Sequence, residues 1–197
     1  MSTPTMLALP RGDRGRPTNG LSVATLLAGV AELMVVGALV AGYLNVRGLA
    51  DRWPPKGVSL DNYLGTTLTI TMGLTIVTAE WAVYALRRGN RRQSLGALTL
   101  TGGLGLAFVN LLWYLGTQLH FGPADHSYGA LAYALLIVVG VIAVGGIGFL
   151  IVALTRTMGD QATASDPSLV RAAAWHWHVV SAAWLLVFTA LFLLQHR

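Results

Sequence analysis

The chain contains no cysteine, which excludes disulfides, thiolate metal sites and a cysteine nucleophile. Charge is scarce too: of 197 residues, 8 are acidic and 13 basic, against 54% hydrophobic. A soluble domain of that composition lacks the polar surface to cover itself. The five histidines are poorly placed for haem, which needs axial ligands within the membrane. His120 and His126 fall in a connecting loop, His196 at the carboxyl terminus, and His176 and His178 at the start of the last apolar segment. A haem-bearing redox subunit is therefore disfavoured. No internal repeat suggests an inverted-topology transporter.

What the sequence has is apolar length. A hydrocarbon core of about 30 Å needs roughly 20 helical residues, and segments 21–44, 64–86, 95–119, 129–154 and 172–194 all satisfy that. The expected fold is an all-α integral membrane bundle of five transmembrane helices, with one membrane domain over 21–197 after a tail of residues 1–20 and no room for a separate soluble domain. That tail carries Pro4, Pro10 and Pro17 with arginines, as a secretory leader can, but the apolar run behind it is too long for a signal core and has no small-residue cleavage site. The run is read as a retained first helix.

The formal net charge of +5 needs no nucleic acid partner, because the basic residues sort by loop. Arg11, Arg14 and Arg16 precede the first segment, Arg87, Arg88, Arg91 and Arg92 follow the second, and Arg156 and Arg171 bracket the loop after the fourth. The alternate loops hold Arg47, Arg52 and Lys56 against Asp51 and Asp61, and then Asp125 with no Lys or Arg. The positive-inside rule places the amino terminus in the cytoplasm and the carboxyl terminus outside.

Connections are short except for 45–63, where Trp53-Pro54-Pro55 blocks helix and implies a rigid extended flap. Asn90, in the arginine-rich turn, fits an antiparallel hairpin of the second and third helices. Gly102, Gly103 and Gly105 in the third segment, with Gly140, Gly145, Gly146 and Gly148 in the fourth, permit close backbone approach and read as a tight bundle.

Few residues could carry chemistry. Glu32 lies about 16 Å into the first helix at 1.5 Å per residue, where an ionised side chain is costly unless paired, hydrated or protonated. Its readings are a proton-linked carboxylate, an acceptor for a helix or lipid head group, or a neutral acid held by hydrogen bonds inside the bundle. Glu80 lies near Arg87 and Arg88, so an ion pair with them or simple snorkelling is expected. His176 and His178 are two residues apart, point about 200° away from each other on a helix and cannot chelate one ion. With Trp175, Trp177 and Trp184 around them, they read as an aromatic and imidazole anchor at the inner interface, one histidine facing the bundle. Asn110 and Glu32 are the main deep polar groups, too few to line a hydrated path convincingly.

In order along the chain, several of these pieces resemble subunit III of the haem-copper oxidases, the cytochrome c oxidase subunit 3 family. Ala31-Glu32-Leu33-Met34 with Gly37 and Tyr43 is similar to the family's helix with a buried glutamate, and Trp53-Pro54-Pro55 with Gly57 to its Trp-Pro-Pro loop. Leu64-Gly65-Thr66-Thr67-Leu68, then Arg88-Gly89-Asn90-Arg91, resemble the next helix and its basic turn. Tyr128-Gly129-Ala130 looks like the start of the penultimate helix. Trp177-His178-Val179-Val180 with Trp184-Leu185 is similar to the final Trp-His-Phe-Val-Asp and Val-Trp-Leu signature, which is the most specific match.

The chain departs from the family too. The family's full form has seven helices, and this chain reads as a five-helix bacterial version without the first two. Leu112 and Leu115 stand where the family places Gln and Glu, Val139 and Ile142 where it has histidines, and Ser181 where it has the aspartate of the final signature.

The resemblance implies a non-catalytic accessory subunit in the bacterial cytoplasmic membrane. It would bind no cofactor or metal itself, haem and copper residing in the partner subunits I and II. It would hold phospholipids and support proton uptake, with Glu32, His178, Trp53 and Trp177 as the lipid- or proton-linked residues. An accessory subunit of a nitric-oxide-reductase-type complex and an unrelated small transporter are the alternatives.

Overall fold

A computed structural model describes residues 20–194. Residues 1–19 of the expected tail, with Arg11, Arg14 and Arg16, and His196 lie outside the described residues, while Gly20 already belongs to the first helix. Among those described there is no strand, and five helices are long and apolar enough to cross a membrane: α1 Gly20–Leu49, α2 Asn62–Arg87, α3 Arg91–Thr117, α4 Ser127–Met158 and α5 Ser168–Phe188, the last continued by a π-helical turn Thr189–Leu193.

The helices outrun the apolar segments read from the sequence. α1 and α4 have 30 and 32 residues, or about 45 and 48 Å at 1.5 Å per residue, so their ends project into the head-group layers or the helices tilt. The flap is correspondingly shorter than expected, because Asn45 to Leu49 stay helical, with Arg47 in the last turn against the negative end of the helix dipole.

Side chains cap the starts of three helices. Asp61 accepts from the amide of Tyr63 at 2.8 Å, Asn90 from that of Gln93 at 3.1 Å, and the His126 ring from that of Gly129 at 2.8 Å. The α2–α3 hairpin turns through Gly89 at φ 74°, a left-handed position that favours glycine. Its amide donates to Leu86 and that of Asn90 to Ala85, the paired bonds that close a helix C-terminus. Asn90 thus ends one helix and caps the next.

α5 is the central helix, packed against α1, α2 and α4. α1 is peripheral and buries one seven-residue stripe, Gly29, Val36 and Tyr43. Close approach is concentrated at a few glycines: a Cβ on Gly105 would lie 2.6 Å from the Trp177 ring, one on Gly146 2.9 Å from His176, and one on Gly29 2.6 Å from Val179. Gly102, Gly103, Gly145 and Gly148 meet open space instead. The indole of Trp177 therefore fills the gap between α3 and α4, and this seating sets the rotation of α5. In-membrane hydrogen bonds reinforce the packing, with Ser94 donating to the Ala82 carbonyl, Thr101 to Thr78 and Trp184 to Thr69.

Candidate functional site

Two acid–imidazole pairs meet on α5 and diverge from it. His176 is buried and turns toward α1 and α4, its Nδ1 lying 3.6 Å from Oε2 of Glu32. Its Nε2 lies 3.3 Å from the Ile142 carbonyl. A carbonyl only accepts, so Nε2 carries hydrogen, and a neutral imidazole would then present a bare Nδ1 to Glu32. A carboxylate facing a bare nitrogen would be two acceptors opposed. A direct hydrogen bond between Glu32 and His176 would therefore need one proton placed between them. Oε2 of Glu32 is buried and has no hydrogen-bond partner, so closing the 3.6 Å gap is the move available to it.

His178 turns the other way. Its Nε2 lies 2.8 Å from Oε1 of Glu80 on α2, with both side chains about half exposed. The divergence expected from their spacing is what separates the two histidines. One expectation is corrected, however. Glu80 pairs with His178 rather than with Arg87 or Arg88, because those arginines lie seven and eight residues further, about 10–12 Å along the axis, and Arg88 rests on the Tyr84 ring. The histidine that faces Glu32 is His176. The rotation of α5 about Trp177 decides which histidine looks inward.

The expected interfacial tryptophan frame is also corrected. Trp177 and Trp184 are fully buried core residues, and only Trp175 is exposed. Trp177 Nε1 has no hydrogen-bond partner, being enclosed by the two close helices.

At the opposite end, the flap turns Trp53 inward, so that it is buried and donates from Nε1 to the Tyr43 hydroxyl at 2.8 Å. Tyr43 and Tyr128 each meet its ring edge-on at 5.2 Å. Phe121 and Tyr133 continue the cluster, Tyr133 donating to the Phe121 carbonyl at 3.1 Å. Trp-Pro-Pro marked this end in the sequence. Tyr128 appeared there only as the start of a helix, and Phe121 and Tyr133 carried no signal.

Asn110, expected to be a deep polar group, faces outward from α3 beside exposed Trp113, and helix rotation alone accounts for it. Leu112, Leu115, Val139 and Ile142 are all buried, and Ser181 bonds back to the Trp177 carbonyl at 2.8 Å. An apolar groove of about 550 Å³ runs between α3 and α4, lined by Leu112, Trp113, Leu136 and Val141 among others. Among the described residues, no three His, Asp or Glu side chains come close enough to hold a metal ion.

A sequence profile for "Cytochrome c oxidase subunit III" matches residues 15–195. The chain is similar to cytochrome c oxidase subunit 3 of Gallus gallus, 34% identical over 146 residues, and to those of Ornithorhynchus anatinus, 33% over 149, and Pelomedusa subrufa, 34% over 149. Each match covers 73% of this chain and 56% of the relative, so the chain spans little more than half their length.

Proposed function

Because this chain belongs to the cytochrome c oxidase subunit III family, a multi-pass membrane family, we propose that it is a non-catalytic accessory subunit of a haem-copper terminal oxidase in a bacterial cytoplasmic membrane. The observation that carries this reading is the extent of the family match, which runs through all five helices. The subunit packs against catalytic subunit I and, with subunit II, completes an assembly whose haem and copper sit outside this chain.

Three features of the bundle support the finer parts of the proposal. The Glu32–His176 pair lies in the half of the bundle that arginine counting assigns to the cytoplasm, about 18 Å from the start of α1. A site able to share one proton there suits an auxiliary role in proton uptake. The apolar groove between α3 and α4 suits lipid acyl chains. Asn110 presents an unbonded amide to the surroundings of α3, which favours a membrane partner able to accept or donate there.

Exchanging Glu32 for Gln, measured in the purified complex, is the functional test. The proposal expects assembly to persist while sustained oxygen turnover or lipid retention falls; unchanged turnover and lipid content remove Glu32 from the functional residues. The apolar replacements Leu112, Leu115, Val139 and Ile142 favour one second reading, an accessory subunit of a haem-b nitric oxide reductase. The haem content of the co-purifying partner separates the two.

A further inference from the structure

A cavity of about 420 Å³ opens where the start of α2 meets the end of α3, remote from the Glu32–His176 pair. Its walls include Asp61, Tyr63, Tyr114, Gln118 and His120 over a floor of leucines. Depth identifies what it faces. α2 has 26 residues, about 39 Å against a hydrocarbon core of about 30 Å, so its last 4–5 Å at each end stand in the head-group layer. Tyr63 on α2 with its cap Asp61, and Tyr114 on α3 with its cap Gln118, occupy that margin, and the exposed tyrosines have the character of interfacial anchors.

The charge of the cavity selects among head groups. No Lys or Arg lines it, Arg52 and Lys56 of the same loop standing outside, and Asp61 is the one carboxylate on its wall. Capping α2 engages only Oδ1 of Asp61, which leaves Oδ2 to accept from a cation. Tyr63 and Tyr114 line the same cavity, and aromatic rings beside a carboxylate suit a cation. The side chains of Gln118 and His120 carry N–H donors that make no hydrogen bond among the described residues, and these suit a phosphate. One acceptor for an ammonium and side-chain N–H donors for a phosphate fit a zwitterion, whereas an anionic head group would meet Asp61 with no Lys or Arg on the cavity wall.

From this we propose that the α2–α3 cavity is a binding site for the head group of a zwitterionic, primary-ammonium phospholipid of the phosphatidylethanolamine type, its acyl chains descending along the exposed flank of α2 and α3. The site rests on the membrane-spanning reading alone and is independent of any oxidase role.

The test uses the full chain in the complex with which it purifies, equilibrated with equal phosphatidylethanolamine and phosphatidylglycerol and read by native mass spectrometry. The wild type should retain the ammonium lipid about two- to fivefold over the anionic one, the scale of one exposed ion pair or cation–π contact. Asp61→Asn keeps an equally good N-cap while removing the charge, so the helix start survives and the preference should vanish. Tyr114→Leu should reduce it as well. Equal retention by the wild type, or an undiminished preference in Asp61→Asn, overturns the proposal. Displacement of the lipid by water-soluble glycerophosphoethanolamine at comparable concentration also overturns it, by making the ligand a soluble ammonium phosphate.

Discussion

Replacing Glu32 and His176 by leucine, singly and together, measures the interaction on which the site depends. Charges 3.6 Å apart would attract by about 5 kcal/mol at an effective dielectric constant of 20, which is a ceiling. The Glu32 side chain is 27% exposed, so screening lowers that figure, and a neutral hydrogen-bonded form is worth about 1 kcal/mol. Either single change leaves one polar partner orphaned beside α4, at about 1–3 kcal/mol. The double change removes both, and paired apolar replacements are often close to neutral. We therefore expect the double variant to be about 1–2 kcal/mol more stable than the two single losses summed. Denaturant unfolding of the detergent-solubilised protein, followed by tryptophan fluorescence, provides the cycle. Additivity within about 0.5 kcal/mol would mean that the two groups do not interact, and the proton-sharing argument would fall.

Other outcomes follow from the packing. Gly105→Ala should destabilise by about 1–3 kcal/mol, because its methyl would overlap the buried Trp177 ring, whereas Gly103→Ala, facing open space, should be neutral or stabilise by up to about 1 kcal/mol; thermal melts of the two variants compare them directly. Arg91 donates to the Thr157 and Met158 carbonyls and pairs with Asp160 at 2.6 Å, tying the start of α3 to the end of α4. Arg91→Ala should cost about 1–2 kcal/mol, discounted for partial exposure, and should speed proteolysis of the α4–α5 loop. In that loop the side-chain and backbone hydrogen bonds from Ser168 hold the Asp166 carboxyl below the usual carboxylate range. Its folded pKa is depressed, so its contribution is present above the unfolded value and is lost as pH falls through the folded one. Hydrogen-exchange protection at the start of α5, taken relative to the intrinsic amide rate at each pH, should fall on acidification in the wild type, and Asp166→Asn should flatten that dependence.

The five helices were legible because each apolar run by itself meets the length of the bilayer, a criterion that needs no knowledge of neighbours. The α2–α3 hairpin was legible from Asn90, although the left-handed residue that makes it turn is Gly89. What stayed hidden depended on rotation about helix axes. Spacing showed that His176 and His178 must diverge; which of them faces inward follows from the seating of Trp177 between Gly105 and Gly146, contacts made across three helices. The sequence around Glu80 offers nearby arginines or snorkelling, while its partner comes from α5, 98 residues away. Asn110 misled for the same reason: depth along a helix is written in the sequence, and azimuth in a nearly uniform apolar helix is not.

Co-purification tests the central claim most directly. The tagged chain, extracted from its native membrane in a mild detergent, should elute with a haem-copper catalytic subunit, an oxidase haem spectrum and oxygen-reducing activity. Elution of the chain alone, or with a metal centre tightly bound to its own residues, would contradict the account.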